Sequence, residues 1–350
     1  MTFKNEMELQ PQALRDFINS TDAGSIAPKI NDIIKKKKID SFVFTGMGSS
    51  LYAGYLAVRY LRNKGFHAIA VESAELKPLA NNLLNDKTLV IAVSQSGEST
   101  EVIELVDNLP IKENLIVVTN YIGSKLYEKS ALIVNICAGI EYFTSTKTYT
   151  NTIAAVAYLG CLLSGAGIDE LVGFKNAMLS CAEQMKTILA KNDLAENMAD
   201  FIKDIKFFIC VGSGYSYSTA CHSEIVLEEA GKFYSSRYTP SQFIHGPIEL
   251  IGEGFGVIVY DFDPAAHEKC SQVCGNVLNY GGKIVYITNN KEIKSGGNLF
   301  VCHIPHTDPY TAPLVEIIPL EMAVNSLVLG RGQEPGKLLR VPKRIVNQKE

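Results

Sequence analysis

The stretch TLVIAVSQSGEST (residues 88–100) changes character at its midpoint. Its first six residues are apolar or β-branched without polar alternation, the pattern of a strand covered on both faces of a parallel sheet. The run stops at Ser94-Gln95-Ser96-Gly97-Glu98-Ser99, and a helical pattern follows over 99–109. The loop therefore lies at the carboxyl edge of a parallel sheet, where open α/β folds bind ligands. The helix start supplies unpaired N–H groups and the positive end of a dipole. Hydroxyls add donors for a phosphate, and Gly97 allows the backbone to approach it. One serine suffices for an N-cap; three serines and a glutamine in six residues point further, to phosphate binding.

Outward from this loop, apolar runs at 41–46, 67–71, 114–120 and 131–136 alternate with helical candidates at 50–64, 74–83, 99–109 and 124–129. Residues 147–203 carry helical patterns only (147–165, 169–191 and 193–204). The strand rhythm then resumes at 206–212, 254–262, 282–289 and 298–304, with helices expected at 215–231, 265–278 and 311–329. VFTGMGSS (43–50) and ICVGSGYS (209–216) share a strand running into Gly-X-Gly and a helix. The reading is an α/β protein with two related doubly wound parallel-sheet domains joined by a helical segment.

Composition narrows the function. A net charge of −4 without a basic stripe gives no reason to expect a nucleic-acid partner, and Lys35–Lys38 read as a solvated helix end. The start MTFKNEMELQ has no apolar stretch, and no long apolar run suggests a membrane span. The eight cysteines sit mostly in apolar surroundings, as small buried hydrophobes in a reducing, cytoplasmic compartment. Cys270, Cys274 and His267 match no standard zinc spacing. Gly46-Met47-Gly48-Ser49-Ser50-Leu51 fails the dinucleotide spacing at its sixth position, which argues against a NAD-dependent dehydrogenase. Ser49 and Ser50 instead face the same phosphate as the serine loop. Glu228 and Glu229 end the helix at 215–231, where the dipole disfavours a carboxylate and one of the two turns to a site. His245, before Gly246-Pro247, is a loop acid–base candidate; the remaining histidines read as structural.

These pieces together resemble the sugar isomerase (SIS domain) family, and within it the isomerase half of glucosamine-6-phosphate synthases. The resemblance runs through EMELQPQALRDFI, TGMGSSLYAG, SQSGEST, AGIEYFTSTKTYT (138–150), IVLEEAGKFYSSRYTPSQFIHGPIELI (225–251) and VPKRIV (341–346). It implies flavodoxin-like SIS domains at 1–160 and 205–335, a helical bridge at 161–204 and a closing tail at 336–350. It implies phosphate binding by Ser94, Gln95, Ser96 and Ser99 with Ser50, proton transfer between C1 and C2 at Glu229, and ring opening at His245 supplied by the neighbouring subunit of a homodimer. Lys343 closes the site, and no metal or organic cofactor is implied. The chain begins where the isomerase half begins, without a glutaminase domain, and Val226 stands where the synthase has a lysine. Both departures put amino-sugar synthesis in doubt and fit deaminating isomerases of amino-sugar phosphates and deglycases of sugar–amine phosphates alike; the leading expectation is a phosphosugar isomerase or deaminase of an amino-sugar or ketosamine 6-phosphate. A deglycase of fructosamine-type 6-phosphates and a non-catalytic phosphosugar sensor are the alternatives.

Overall fold

Among the described residues, ten strands pair side by side in parallel, in two sheets of five. The computed structural model describes residues 1–21, 23–130, 132–305 and 308–340. The first sheet contains β1 (Ser41–Gly46), β2 (His67–Glu72), β3 (Thr88–Val93), β4 (Leu115–Thr119) and β5 (Leu132–Asn135), in the order β2-β1-β3-β4-β5. The second contains β6 (Phe207–Gly212), β7 (Tyr234–Tyr238), β8 (Phe255–Asp261), β9 (Lys283–Thr288) and β10 (Leu299–His303), in the order β7-β6-β8-β9-β10. Counted from its own first strand, each sheet is a doubly wound 2-1-3-4-5 arrangement with one switch point.

Burial follows the sequence pattern. β3 and β4 are buried at every position, because helices cover both of their faces. The edge strands β2 and β5 are only partly buried. On one face of the first sheet, Val43, Val90 and Val117 from three neighbouring strands pack with Leu76, Leu105 and Leu126. The apolar stretch Ala312–Gly330 is long enough to cross a membrane, yet it is almost wholly buried as a core segment of its unit.

The chain forms two compact units. One comprises residues 12–141 and 147–180; the other comprises residues 1–11, 142–146 and 181–340. The division falls within the helix Ile168–Leu189. The N-terminal residues join the second unit through buried polar contacts. Glu6 accepts the amides of Tyr142 (2.5 Å) and Phe143 (3.1 Å), and Gln10 donates to Glu321 at 2.6 Å.

Some elements depart from expectation. The helix at 124–129 is a single 3-10 turn, Tyr127–Lys129. The helix at 74–83 breaks into Ser73–Leu76, Lys77–Leu79 and Ala80–Leu83, since Pro78 has no amide to continue the ladder. β7 was not expected, because YSSRY is a polar edge strand without alternation.

The turn after β6 is held by a carboxylate without solvent access. Glu316 accepts from Ser216 Oγ at 2.9 Å and from Thr219 Oγ1, at the start of the helix Tyr217–Ile225. Complete burial pushes its carboxyl from 4.5 up to about 7, against the two hydroxyls. The folded state therefore holds a proton that the unfolded state has lost between these values, and stability falls as pH rises through that window. Wild-type protein should lose about 3 kcal/mol of stability from pH 4.5 to 7.5 that Glu316→Gln retains. Denaturant titrations at several pH values check this; parallel curves for the two proteins would contradict it.

Candidate phosphate loop and acid–base residues

β3 delivers Ser94 and Ser96 as buried residues, with Gln95 and Ser99 half-buried. Ser94 Oγ accepts the Gly97 amide at 3.2 Å and lies 3.2 Å from Ser99 Oγ. Ser96 Oγ accepts the Glu98 amide at 3.2 Å. Both central hydroxyls thus accept from the loop's own backbone; the Ser96 proton is left for an acceptor outside it, while the Ser94 and Ser99 hydroxyls share a contact in which either can donate. The Gln95 carbonyl is tied to the Asn120 amide at 3.1 Å, yet its buried Nε2 has no partner. Ser99 is the N-cap residue of the helix Thr100–Asp107, and its hydroxyl does not cap. Helix geometry gives the first-turn amides no carbonyl partner within the helix. Buried donors without acceptors are what an anion satisfies.

Charge is arranged to match. Glu98, the loop's single acid, turns away: its carboxylate accepts the Lys125 amide at 2.9 Å and pairs with Lys125 Nζ at 3.1 Å. Gly97 is required twice over. Its φ is +63°, and a Cβ there would lie 2.0 Å from Ser124 Oγ. Ser124 and Lys125 were missed from sequence; they reach the loop only through the β3–β4 pairing.

The register Thr45↔Ala92 sets Gly46 beside Val93, so the β1 and β3 loops emerge from neighbouring strands. A Cβ on Gly46 would sit 2.7 Å from the Val93 carbonyl. Gly48 (φ +51°) then opens the helix Ser49–Asn63 without a side-chain cap, and Ser49 and Ser50 stand half-buried in its first turn. The sequence candidates on these two loops therefore share one sheet edge.

At the equivalent edge of the second sheet, β8 ends in Asp261-Phe262-Asp263 where β3 ends in serines. Buried Asp261 accepts from Tyr286 at 2.7 Å and pairs with His267 Nδ1 at 2.6 Å. Asp263 Oδ2 lies 2.1 Å from where a Cβ on Gly214 would stand. Two carboxylates and a filled crevice make this edge unfit for phosphate.

Glu229 lies in a π-helical turn, Val226–Ala230, that continues the helix Tyr217–Ile225; such single turns recur at functional sites. Glu229 is half-buried and Glu228 exposed. Desolvation raises the Glu228 carboxyl, against hydrogen bonds from Ser235. Lys232 Nζ donates to the Glu229 carbonyl and to the Lys337 carbonyl at 2.8 Å. Next to it, the Gly336 carbonyl accepts Thr144 N at 2.9 Å. The segment leading to the tail is thus fastened beside the Glu229 turn, while Lys343 lies outside the described residues.

His245 ends the short helix Pro240–Ile244 and is exposed, with no side-chain hydrogen bond among the described residues. It does not share a sheet face with Glu229. Ile209 and Val211 of β6 pack with Phe243 and with the helix His267–Asn279. The alternate residues point the other way: Phe208 meets Phe233 at 5.0 Å, and Cys210 faces Cys221 of the Glu229 helix.

Residues 32–160 and 202–329 each match the SIS domain family. The chain is 25% identical over 350 residues to glutamine–fructose-6-phosphate aminotransferase [isomerizing] of Thermococcus kodakarensis, covering 97% of this chain and 57% of that relative's length. Among solved structures, the C-terminal domain of glucosamine-fructose-6-phosphate aminotransferase from Francisella tularensis superposes with a TM-score of 0.87 at 19% identity, covering 96% and 98% of the two chains. Glucosamine-6-phosphate deaminase from Thermotoga maritima gives 0.74 at 18% identity, covering 97% of each.

The loop geometry yields a graded expectation. Gly97→Ala should destabilise the protein by about 1–3 kcal/mol through backbone strain and overlap with Ser124. Ser96→Ala should leave the melting temperature within a few degrees while weakening a phosphosugar about 10- to 100-fold, the loss of one hydrogen bond to a charged group. Thermal melts with and without ligand separate the two. Unchanged affinity in Ser96→Ala would remove the hydroxyl from the site.

Proposed function

The chain belongs to the SIS domain family, and from that premise we propose that it is a deaminating isomerase of an amino-sugar or ketosamine 6-phosphate. The serine loop carries this reading: it offers buried, unsatisfied donors at a switch point and no free carboxylate. The names of the relatives supply the substrate class, since those proteins act on hexose and amino-sugar phosphates.

In this reading the phosphate anchors the substrate at Ser94, Gln95, Ser96 and Ser99, with Ser49 and Ser50 on the adjacent loop, and fixes C1 and C2 relative to the base. His245 moves the proton that opens the ring. Glu229 takes the proton from C2 of the open-chain aldehyde and returns it to C1, giving a C2 imine that water hydrolyses to ketose and ammonia. Partial shielding from water suits a carboxylate to that role. Val226, fully buried, stands where the synthase resemblance has a lysine, so an apolar side chain replaces an amine one turn before Glu229. That favours amine release over amine transfer.

His245 belongs, on this account, to the active site of a second subunit in a homodimer. Its exposure, its lack of a partner among the described residues and its place on the sheet face opposite the Glu229 helix support that assignment. Lys343 closes the site from a tail fastened at Gly336 and Lys337.

Glucosamine 6-phosphate or galactosamine 6-phosphate should release ammonia in a coupled assay. Glu229→Gln should lower kcat by about 10²- to 10⁴-fold while the substrate still raises the melting temperature. Amino-acid release from fructosamine 6-phosphates instead would establish a deglycase, and tight binding without turnover would establish a sensor. A second expectation concerns the shared site. Glu229→Gln and His245→Ala, each inactive alone, should recover about a quarter of wild-type activity when mixed and re-associated, because half the dimers then hold one intact site. No recovery in verified heterodimers would place both residues in the same subunit's site.

A further inference from the structure

At the amino-terminal edge of the second sheet, a cavity of about 1090 Å³ opens among the starts of β6, β8 and β9. Its volume is that of a ligand site rather than a packing defect. Lys203, Lys206, Lys283 and Arg331 line it, against Asp204 and Glu253. Four cations facing two carboxylates is the reverse of the chain's own balance of −4.

The cations are also poorly compensated. Lys203 pairs with Asp200 at 2.7 Å. Lys206, Lys283 and Arg331 have no carboxylate within ion-pair distance among the described residues. Lys283 Nζ instead donates to the Phe201 carbonyl at 2.9 Å and lies 5.2 Å from the Phe201 ring centroid. The Arg331 guanidinium lies 4.5 Å from the centroid of Phe233, with one weak bond to the Lys203 carbonyl at 3.5 Å. Ring and carbonyl contacts hold these groups in place, and a further acid nearby, Asp200, divides its field between Lys203 and Lys283. Phe255, also on the lining, stacks on the exposed Phe207 at 5.0 Å, and Tyr234 meets Phe207 edge-on at 6.0 Å.

We propose that this cavity binds a compact polyphosphate anion, held by Lys206, Lys283 and Arg331. Arginine and lysine converging on one concave surface match several phosphoryl oxygens, which a single carboxylate would not fill. The anion comes either from a nucleoside di- or triphosphate, with its base on the aromatic rim at Phe207 and Phe255, or from free polyphosphate. The site is separate from the serine loop, which belongs to the first sheet, and it does not depend on the reaction proposed above.

Isothermal titration of the full chain with ATP and with inorganic tripolyphosphate, without magnesium, tests the proposal. One equivalent should bind, and Lys206→Glu should weaken it at least about tenfold, with a further loss in Lys206→Glu/Lys283→Glu. Tighter binding of ATP than tripolyphosphate identifies a nucleotide; equal binding identifies free polyphosphate. Absence of binding to the wild type overturns the proposal. So does binding that the folded Lys206→Glu protein leaves unchanged, or that a phosphosugar displaces, since the anion would then occupy the serine loop.

Discussion

Everything at the candidate phosphate loop depends on two parallel strands leaving their shared edge without side chains between them. β1 and β3 run side by side at the switch point of the first sheet, and Gly46 faces the Val93 carbonyl at a separation that no Cβ would tolerate. The helices that follow these strands diverge from that point, so the edge between them is open. Gly97 then folds the β3 loop over Ser124 in a left-handed conformation, which turns the hydroxyls and the first helix amides toward one space. Without either glycine the donors would exist but would not converge.

The second sheet is an internal control. Its strand order repeats that of the first, yet the loop after its third strand carries Asp261 and Asp263 in place of serines. Asp263 fills the space beside Gly214, and Asp261 is consumed by Tyr286 and His267. The topology supplies a crevice twice, and side-chain chemistry makes only the first fit for phosphate. The second unit contributes elsewhere: Glu316 fixes the start of the helix that ends in the π-turn of Glu229, and Lys232 ties that turn to the approaching tail.

Much of this was legible in the sequence because it was written locally. β3, its loop and the following helix are one continuous stretch, and the apolar runs of nine strands stand out against amphipathic helices. β7 was not legible, since a polar edge strand is defined by its pairing with β6 rather than by its own pattern. Ser124 and Lys125 stayed hidden for a similar reason: more than 20 residues separate them from Gly97 and Glu98, and only the β3–β4 register joins them. Periodicity extended the Glu229 helix correctly but could not register its last turn as π-helical, which depends on hydrogen-bond spacing. Nor could it separate the His245 and Glu229 faces, which follows from the alternation of β6 once its neighbours are known.

The central claim is that one serine-rich loop recognises the phosphate of a sugar. Amide chemical shifts, recorded by NMR during titration with glucosamine 6-phosphate and in parallel with glucosamine, test it most directly. The account predicts that the amides of Ser96, Gly97 and Ser99 move with the phosphorylated sugar and remain still with the unphosphorylated one. Equal shifts with both sugars, or shifts confined to residues of the second unit, would contradict it.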